Sequence, residues 1–173
     1  AAFIGQQHIL FTASAAATGR VNISPRETGA FRVLDPNTVT YLDQTGSGNE
    51  TAAHLRLSGR LTIMFCGFEN VPVVLRLYGQ GRALPRGTPE YAALLAMAYD
   101  NQEPIGARQI IRLDLDLVQT SCGYGVPLMR FEAARTQQEA WQDKMVRSGG
   151  FDDYVAEKNA ASIDGLPAID VRS

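Results

Sequence analysis

A chain of 173 residues, 45% hydrophobic and 20% charged, has the size and composition of one domain with its own core. Its net charge of −2 argues against broad nucleic-acid binding, and no apolar run reaches membrane-spanning length. The cations are almost all arginine, with Lys144 and Lys158 the lysines, a bias that suits bidentate carboxylate or phosphate contacts; no signal peptide is visible, and a cytoplasmic protein is expected.

Residues 8–14 read as a first strand, followed by a small-residue turn at Ala15 to Gly19. Val21 and Ile23 alternate with Arg20, Asn22 and Ser24, which predicts a half-buried second strand ended by Pro25. Asp35-Pro36-Asn37 predicts a turn, and the β-branched and aromatic run 38–43 the next strand. A short helix over 52–57 is stopped by Gly59. Strands follow at 60–68 and 72–84, the second with Gly79 and Gly81 suggesting a bulge or bend. Thr88 as N-cap and Pro89 at the first position predict a helix over 88–99. In 107–119, Ile111, Leu113, Leu115 and Leu117 alternate with Arg112, Asp114 and Asp116, the clearest strand of the chain. Two helical stretches, 136–147 and 151–161, are split by Gly149-Gly150 and lead into an irregular tail. About six strands with few helices between them predict a mostly antiparallel sheet, and the glycine bends favour closure into a barrel. No repeat or linker divides the chain, so residues 1–173 are read as one domain, with 132–173 a helical and irregular C-terminal extension.

The most informative loop is Gly46-Ser47-Gly48-Asn49-Glu50-Thr51, between a strand and a helix. Ser47 and Glu50 have capping-box spacing, and glycines before a helix start offer free amides to an anion. The plainer alternative is a loop that only caps its helix. Hydrolytic chemistry has little support. His8 opens an apolar strand, His54 follows Thr51 by one helical turn, and no base accompanies Ser121-Cys122-Gly123. Two histidines and two distant cysteines give no metal pattern, and Cys66 and Cys122 are read as reduced thiols. Asp114 and Asp116 read as a solvated strand face. No catalytic side chain and no metal ligand is assigned. What remains is a pocket of polar strand positions and glycine-rich loops, suited to a cofactor that carries its own reactivity.

Several runs resemble one family. They are Gly19 to Pro25, Phe31 to Pro36, Gly46 to Leu55 and Gly59 to Phe65. Together they look like the pyridoxamine 5′-phosphate oxidase-related proteins. Ser121-Cys122-Gly123-Tyr124-Gly125-Val126-Pro127 and the Lys158 to Pro167 run, with Ser162-Ile163-Asp164-Gly165-Leu166-Pro167, resemble a narrower subgroup. The resemblance spans nearly the whole chain. It implies a six-stranded antiparallel split β-barrel of the FMN-binding type, mostly β with peripheral helices, working as a homodimer with flavin at the subunit interface. Carried over by position, it implies flavin contacts from Arg20, Asn22 and Ser24 on the second strand and from Thr45, Ser47, Asn49 and Thr51 on the loop. Arg26 is the expected phosphate countercharge. Ser121 and Tyr124 belong to a loop expected to approach the isoalloxazine ring. The chain departs from the family where the oxidases carry adjacent basic residues for the FMN phosphate, because Glu50 and Thr51 stand there. Either amides, hydroxyls and Arg26 replace that pair, or the site takes another ligand, such as a deazaflavin. The function implied is an FMN-dependent oxidoreductase acting on a small organic substrate. The alternative is a non-catalytic binder of flavin, deazaflavin, haem or pyridoxal phosphate on the same fold.

Overall fold

The computed structural model describes residues 1–69 and 71–169. Seven strands form a single sheet: β1 (Ile9–Ser14), β2 (Asn22–Glu27), β3 (Phe31–Asp35), β4 (Thr38–Gln44), β5 (Arg60–Cys66), β6 (Val73–Pro85) and β7 (Ala107–Cys122). Their spatial order is β2-β1-β5-β6-β7-β4-β3, and every pairing is antiparallel. Four helices accompany them: α1 (Glu50–Leu55), α2 (Pro89–Tyr99), α3 (Gln137–Arg147) and α4 (Phe151–Lys158).

The sheet curls around one apolar interior. Alternation places Leu10 of β1, Leu61, Ile63 and Phe65 of β5, Leu75 and Leu77 of β6 and Ile111 and Leu113 of β7 in it, with Phe31, Val39 and Tyr41 from the far side. A second cluster lies on the outer face, where α2 covers Leu42, Leu84 and Ile110 with Tyr91, Leu94, Leu95 and Tyr99. β4 is therefore buried along both faces, which explains its unbroken run of buried residues from Thr38 to Asp43. Thr88 caps α2, its hydroxyl accepting the Tyr91 N–H at 3.3 Å, and Pro89 occupies the first turn as expected.

The edges of the sheet are β2 and β3, joined by a short 3-10 turn at Thr28–Ala30. No backbone ladder pairs them among the described residues, so the barrel is split along this seam. The sequence predicts six strands. The seventh is β3, a five-residue strand squeezed between the 3-10 turn and the Asp35-Pro36-Asn37 turn, too short for its alternation to stand out. Pro25 does not end the second strand. It sits inside β2 opposite Phe11, tolerated because β2 has a partner on one side only.

The bulge expected near Gly79 is present, as a register shift between Tyr78 and Gly79. A Cβ on Gly79 would lie 2.0 Å from the Asp114 carbonyl oxygen, so the two backbones meet there at a distance that only glycine allows. The helix expected at 52–57 runs from Glu50 to Leu55, and no capping box forms. Asn49 is the N-cap residue without a side-chain cap bond, and both Glu50 carboxylate oxygens accept the Ile163 N–H at 3.1 Å.

Beyond β7 the chain runs without regular elements to α3. Trp141 holds α3 to α4 through Tyr154 and Phe151, with ring centroids 4.8 and 6.5 Å away. The next residues fold into a tight loop, bridged between Ala161 and Pro167 and closed by the Ser162 N–H on the Leu166 carbonyl at 2.8 Å. Residues 170–173, the last of the predicted extension, lie outside the described residues.

Candidate functional site

A cleft of about 580 Å³ opens beside β2, between the Gly46–Asn49 loop, α1 and the C-terminal loop. Its lining includes Arg20, Asn22, Ser24 and Arg26 from the β2 segment, Ser47 and Thr51 from the loop and α1, and Arg108 from β7. Alternation along β2 turns Asn22, Ser24 and Arg26 to one side of the edge strand. The Asn22 amide donates to Thr51 Oγ1 at 3.3 Å, and the Ser24 hydroxyl donates to Asn22 Oδ1 at 3.3 Å, so the strand and the helix share a chain of small polar groups. Val21, Pro25 and Ile163 add apolar surface to the same cleft.

Beneath the cleft lies a charged network centred on Asp43, which is 1% exposed. Arg26 Nη1 is paired with Asp43 Oδ1, while Arg108 Nε donates to Oδ2 at 2.8 Å and Gln109 Nε2 to the same oxygen at 2.7 Å. Burial alone would push the Asp43 carboxyl upward. The Arg26 and Arg108 guanidiniums outweigh it and hold the group below the ordinary carboxylate range. Burial likewise works against the Arg26 charge, but Tyr41 and Asp43 beside it raise its pKa. Arg26 also lies over the Tyr41 ring, 4.7 Å from its centroid, and donates from Nε to Thr12 Oγ1 at 3.3 Å.

The network reaches into the glycine loop. Arg108 Nη1 donates to the Gly48 carbonyl at 2.8 Å and to Asn159 Oδ1 at 2.6 Å. Asn159 is fully buried and donates its own amide to the Gly46 carbonyl at 2.9 Å. Gln109 Nε2 also donates to Asn49 Oδ1 at 2.9 Å, and Gln142 Nε2 donates to the Thr45 carbonyl at 3.1 Å. The hydroxyl of Thr45 and Oε1 of Gln44, both shielded from solvent, have no hydrogen-bond partner among the described residues.

Of the residues expected from the sequence, Arg20, Asn22, Ser24, Arg26, Ser47 and Thr51 line this cleft. Thr45 and Asn49 are buried in the loop behind it. Ser121 and Tyr124 do not line it in the single chain: Ser121, near the end of β7, accepts from Arg76 Nη1 at 3.1 Å, and Tyr124 is 84% exposed. Arg20 is paired with Asp164, whose Oδ2 also accepts the Arg20 backbone N–H at 2.7 Å. His54 is buried, its Nδ1 sharing a hydrogen bond of 3.1 Å with Ser14 Oγ, and His8 stacks on Phe131. Cys66 and Cys122 are both free thiols. Sequence reasoning missed Asp43, Arg108, Gln109 and Asn159. Arg108 and Gln109 open a strand whose polar positions look like a solvated face, and Asn159 is separated from the loop by more than a hundred residues.

A curled antiparallel sheet, split at a seam and carrying a polar cleft beside it, defines a split-barrel protein. The family model described as pyridoxamine 5′-phosphate oxidase matches residues 1–122. The pyridoxamine 5′-phosphate oxidase family protein ustO of Aspergillus flavus is 35% identical over 179 residues, covering 95% of this chain and 72% of the relative. Among solved structures, HupZ of Group A Streptococcus superposes with a TM-score of 0.52 at 20% identity, over 68% of this chain and 86% of that one. A pyridoxamine 5′-phosphate oxidase-related, FMN binding protein of Nostoc punctiforme gives 0.50 at 14% identity, over 65% and 73%. The chain belongs to the pyridoxamine 5′-phosphate oxidase family. No helix among the described residues is long and apolar enough to cross a membrane.

Proposed function

We propose that this protein is an FMN-dependent oxidoreductase acting on a small organic substrate, with the flavin seated in the cleft beside β2. The observation that carries this reading is the convergence of Arg20, Asn22, Ser24, Arg26, Ser47 and Thr51 on one cleft. The donor set fits a flavin mononucleotide. Hydroxyls, amides and guanidiniums suit a phosphate and a ribityl chain, and Val21, Pro25 and Ile163 suit the side of a flat ring. The buried, unpartnered Thr45 hydroxyl belongs to the same loop. The volume lies within the range of ordinary cofactor pockets.

When bound, FMN supplies the hydride and electron chemistry that no protein side chain offers. The protein's part is to bind and orient. Asn22, Ser24 and Thr51 hold one another in place, so the donors facing the ligand are set before it arrives. Glu50 also lines the cleft, and its carboxylate accepts the Ile163 N–H of the C-terminal loop.

The reading includes a homodimer. Leu117 and Val118 are adjacent on β7, point to opposite faces and are 55% and 52% exposed. Leu128, Met129 and Phe131, on the segment after β7, are further exposed apolar side chains. In such a dimer the Ser121 and Tyr124 loop, which does not line the cleft of its own chain, is available to the partner.

The test is an absorbance spectrum of the purified protein, with FMN titrated in when no colour is seen. Saturable binding in the micromolar range or tighter is expected. Failure to bind any flavin would sink the reading. Tight binding without turnover by any donor would favour a non-catalytic flavin carrier instead.

A further inference from the structure

The cleft is lined by Arg20, Arg26 and Arg108, and the helix start beside it carries Glu50 and Thr51, not a basic residue, so a ligand phosphate depends on an arginine from the sheet. We propose that Arg108 is that arginine, and that Asn159 of the C-terminal extension positions it. The ligand class is one carrying a phosphate monoester, and the inference rests on the flavin reading for the identity of the rest of the ligand.

Two guanidiniums, Arg26 and Arg108, share the single carboxylate of Asp43, so this ion network holds one more positive than negative charge; the Glu50 carboxylate also lines the cleft and accepts the Ile163 N–H. The two arginines are held differently. Arg26 is spread against the barrel wall, over the Tyr41 ring and bonded to Thr12. Arg108 is tied to the loop itself, through the Gly48 carbonyl and Asn159. Its Nε and Nη1 are occupied, while Nη2 makes no hydrogen bond among the described residues. The side chain is 13% exposed and lines the cleft beside Gly46, Ser47 and Gly48. A guanidinium held by Asp43, the Gly48 carbonyl and Asn159, and lining the cleft, is prepared for an oxyanion at little further entropic cost.

Asn159 makes this arrangement possible. Its Oδ1 orients Arg108, its Nδ2 holds the Gly46 carbonyl, and its own carbonyl accepts from Asn49 Nδ2 at 3.4 Å. One buried amide thus sets both the cation and the small-residue loop opposite it. Asn159 is a positioning residue, because it acts on the ligand through Arg108 and the loop. The extension that follows the barrel therefore completes the phosphate end of the site.

The experiment compares FMN with riboflavin, which is identical except for the phosphate. Both are titrated by fluorescence into wild type, Arg108→Gln, Asn159→Ala and Asn159→Asp, with circular dichroism confirming the fold. Losing one charge-assisted contact should weaken FMN about ten- to a hundredfold in each variant, with riboflavin affinity held within about threefold. Asn159→Asp is the sharper case, because it retains an acceptor for Arg108 while cancelling the network's excess charge. Parallel weakening of both flavins, or an unchanged ratio, would overturn the proposal and leave Asn159 a structural residue. If wild type takes neither flavin, the flavin reading fails alone. Phosphorus NMR of inorganic phosphate then decides: line broadening by wild type that is lost in Arg108→Gln and Asn159→Ala upholds the phosphate site. Equal broadening in all proteins, or none in wild type, overturns it.

Discussion

Asp43 shows how one residue links the fold to the site. It lies on β4, bonded to a guanidinium from its ladder neighbour β7 and to another from β2, the far edge of the sheet, so the Arg26 pair links with side chains two strands that no backbone ladder joins. Removing its charge leaves two buried guanidiniums facing one another, and Asp43→Asn should cost about 3 kcal/mol of stability, the scale for breaking a buried ion pair. The pH dependence has a definite sign. The folded pKa is depressed, so the stabilisation is complete above the ordinary carboxylate value of about 4 and is lost as pH falls from there toward the folded value. Urea midpoints of wild type and Asp43→Asn should therefore differ most at pH 6–7 and converge below about pH 4. A gap that stays constant to low pH would refute the role given to the carboxylate. At this scale the resemblance named Asn22, Ser24 and Thr51, and the structure brings all three to one cleft. The sequence was silent on Asp43, whose partners come from other strands.

Among the elements, β6 and β7 are the longest strands and carry the bend that curls the sheet. Gly79 and Gly81 are constrained differently. A Cβ on Gly79 meets the Asp114 backbone at 2.0 Å, whereas one on Gly81 meets the Leu61 and Leu55 side chains at 2.8 and 2.9 Å. Side chains can shift and a ladder backbone cannot without losing register. Gly79→Ala is therefore expected to destabilise by about 2–3 kcal/mol and Gly81→Ala by roughly 1 kcal/mol, as overpacking does; denaturant melts of the two variants test the order. The element pattern itself was largely readable. A nearly continuous apolar run marked β5, alternation marked β6 and β7, and Thr88-Pro89 marked α2. β3 escaped because five residues give too few periods, and the early end given to β2 came from treating Pro25 as a stop, a rule that holds for interior strands and fails at an edge.

For the whole molecule, the exposed apolar end of β7 is the feature a single chain does not explain. On the proposed homodimer, Leu117→Glu is expected to lower the mass seen by light scattering to that of a monomer, and to weaken FMN binding at the same time if the cleft is completed by a second copy. A variant that stays dimeric, or a monomer that binds FMN unchanged, would separate the site from that surface. Sequence periodicity by itself determined that this is a largely antiparallel β domain with helices at its periphery, because hydrophobic alternation is a local property of a few consecutive residues. Its glycine and hydroxyl runs marked the loop and strand of the cleft for the same reason. Only the tertiary structure decided that Arg108, Asp43 and Asn159 belong together. Charges buried in a common network attract through a few ångströms of space, and no local pattern along the chain records which distant residues folding will bring within that distance.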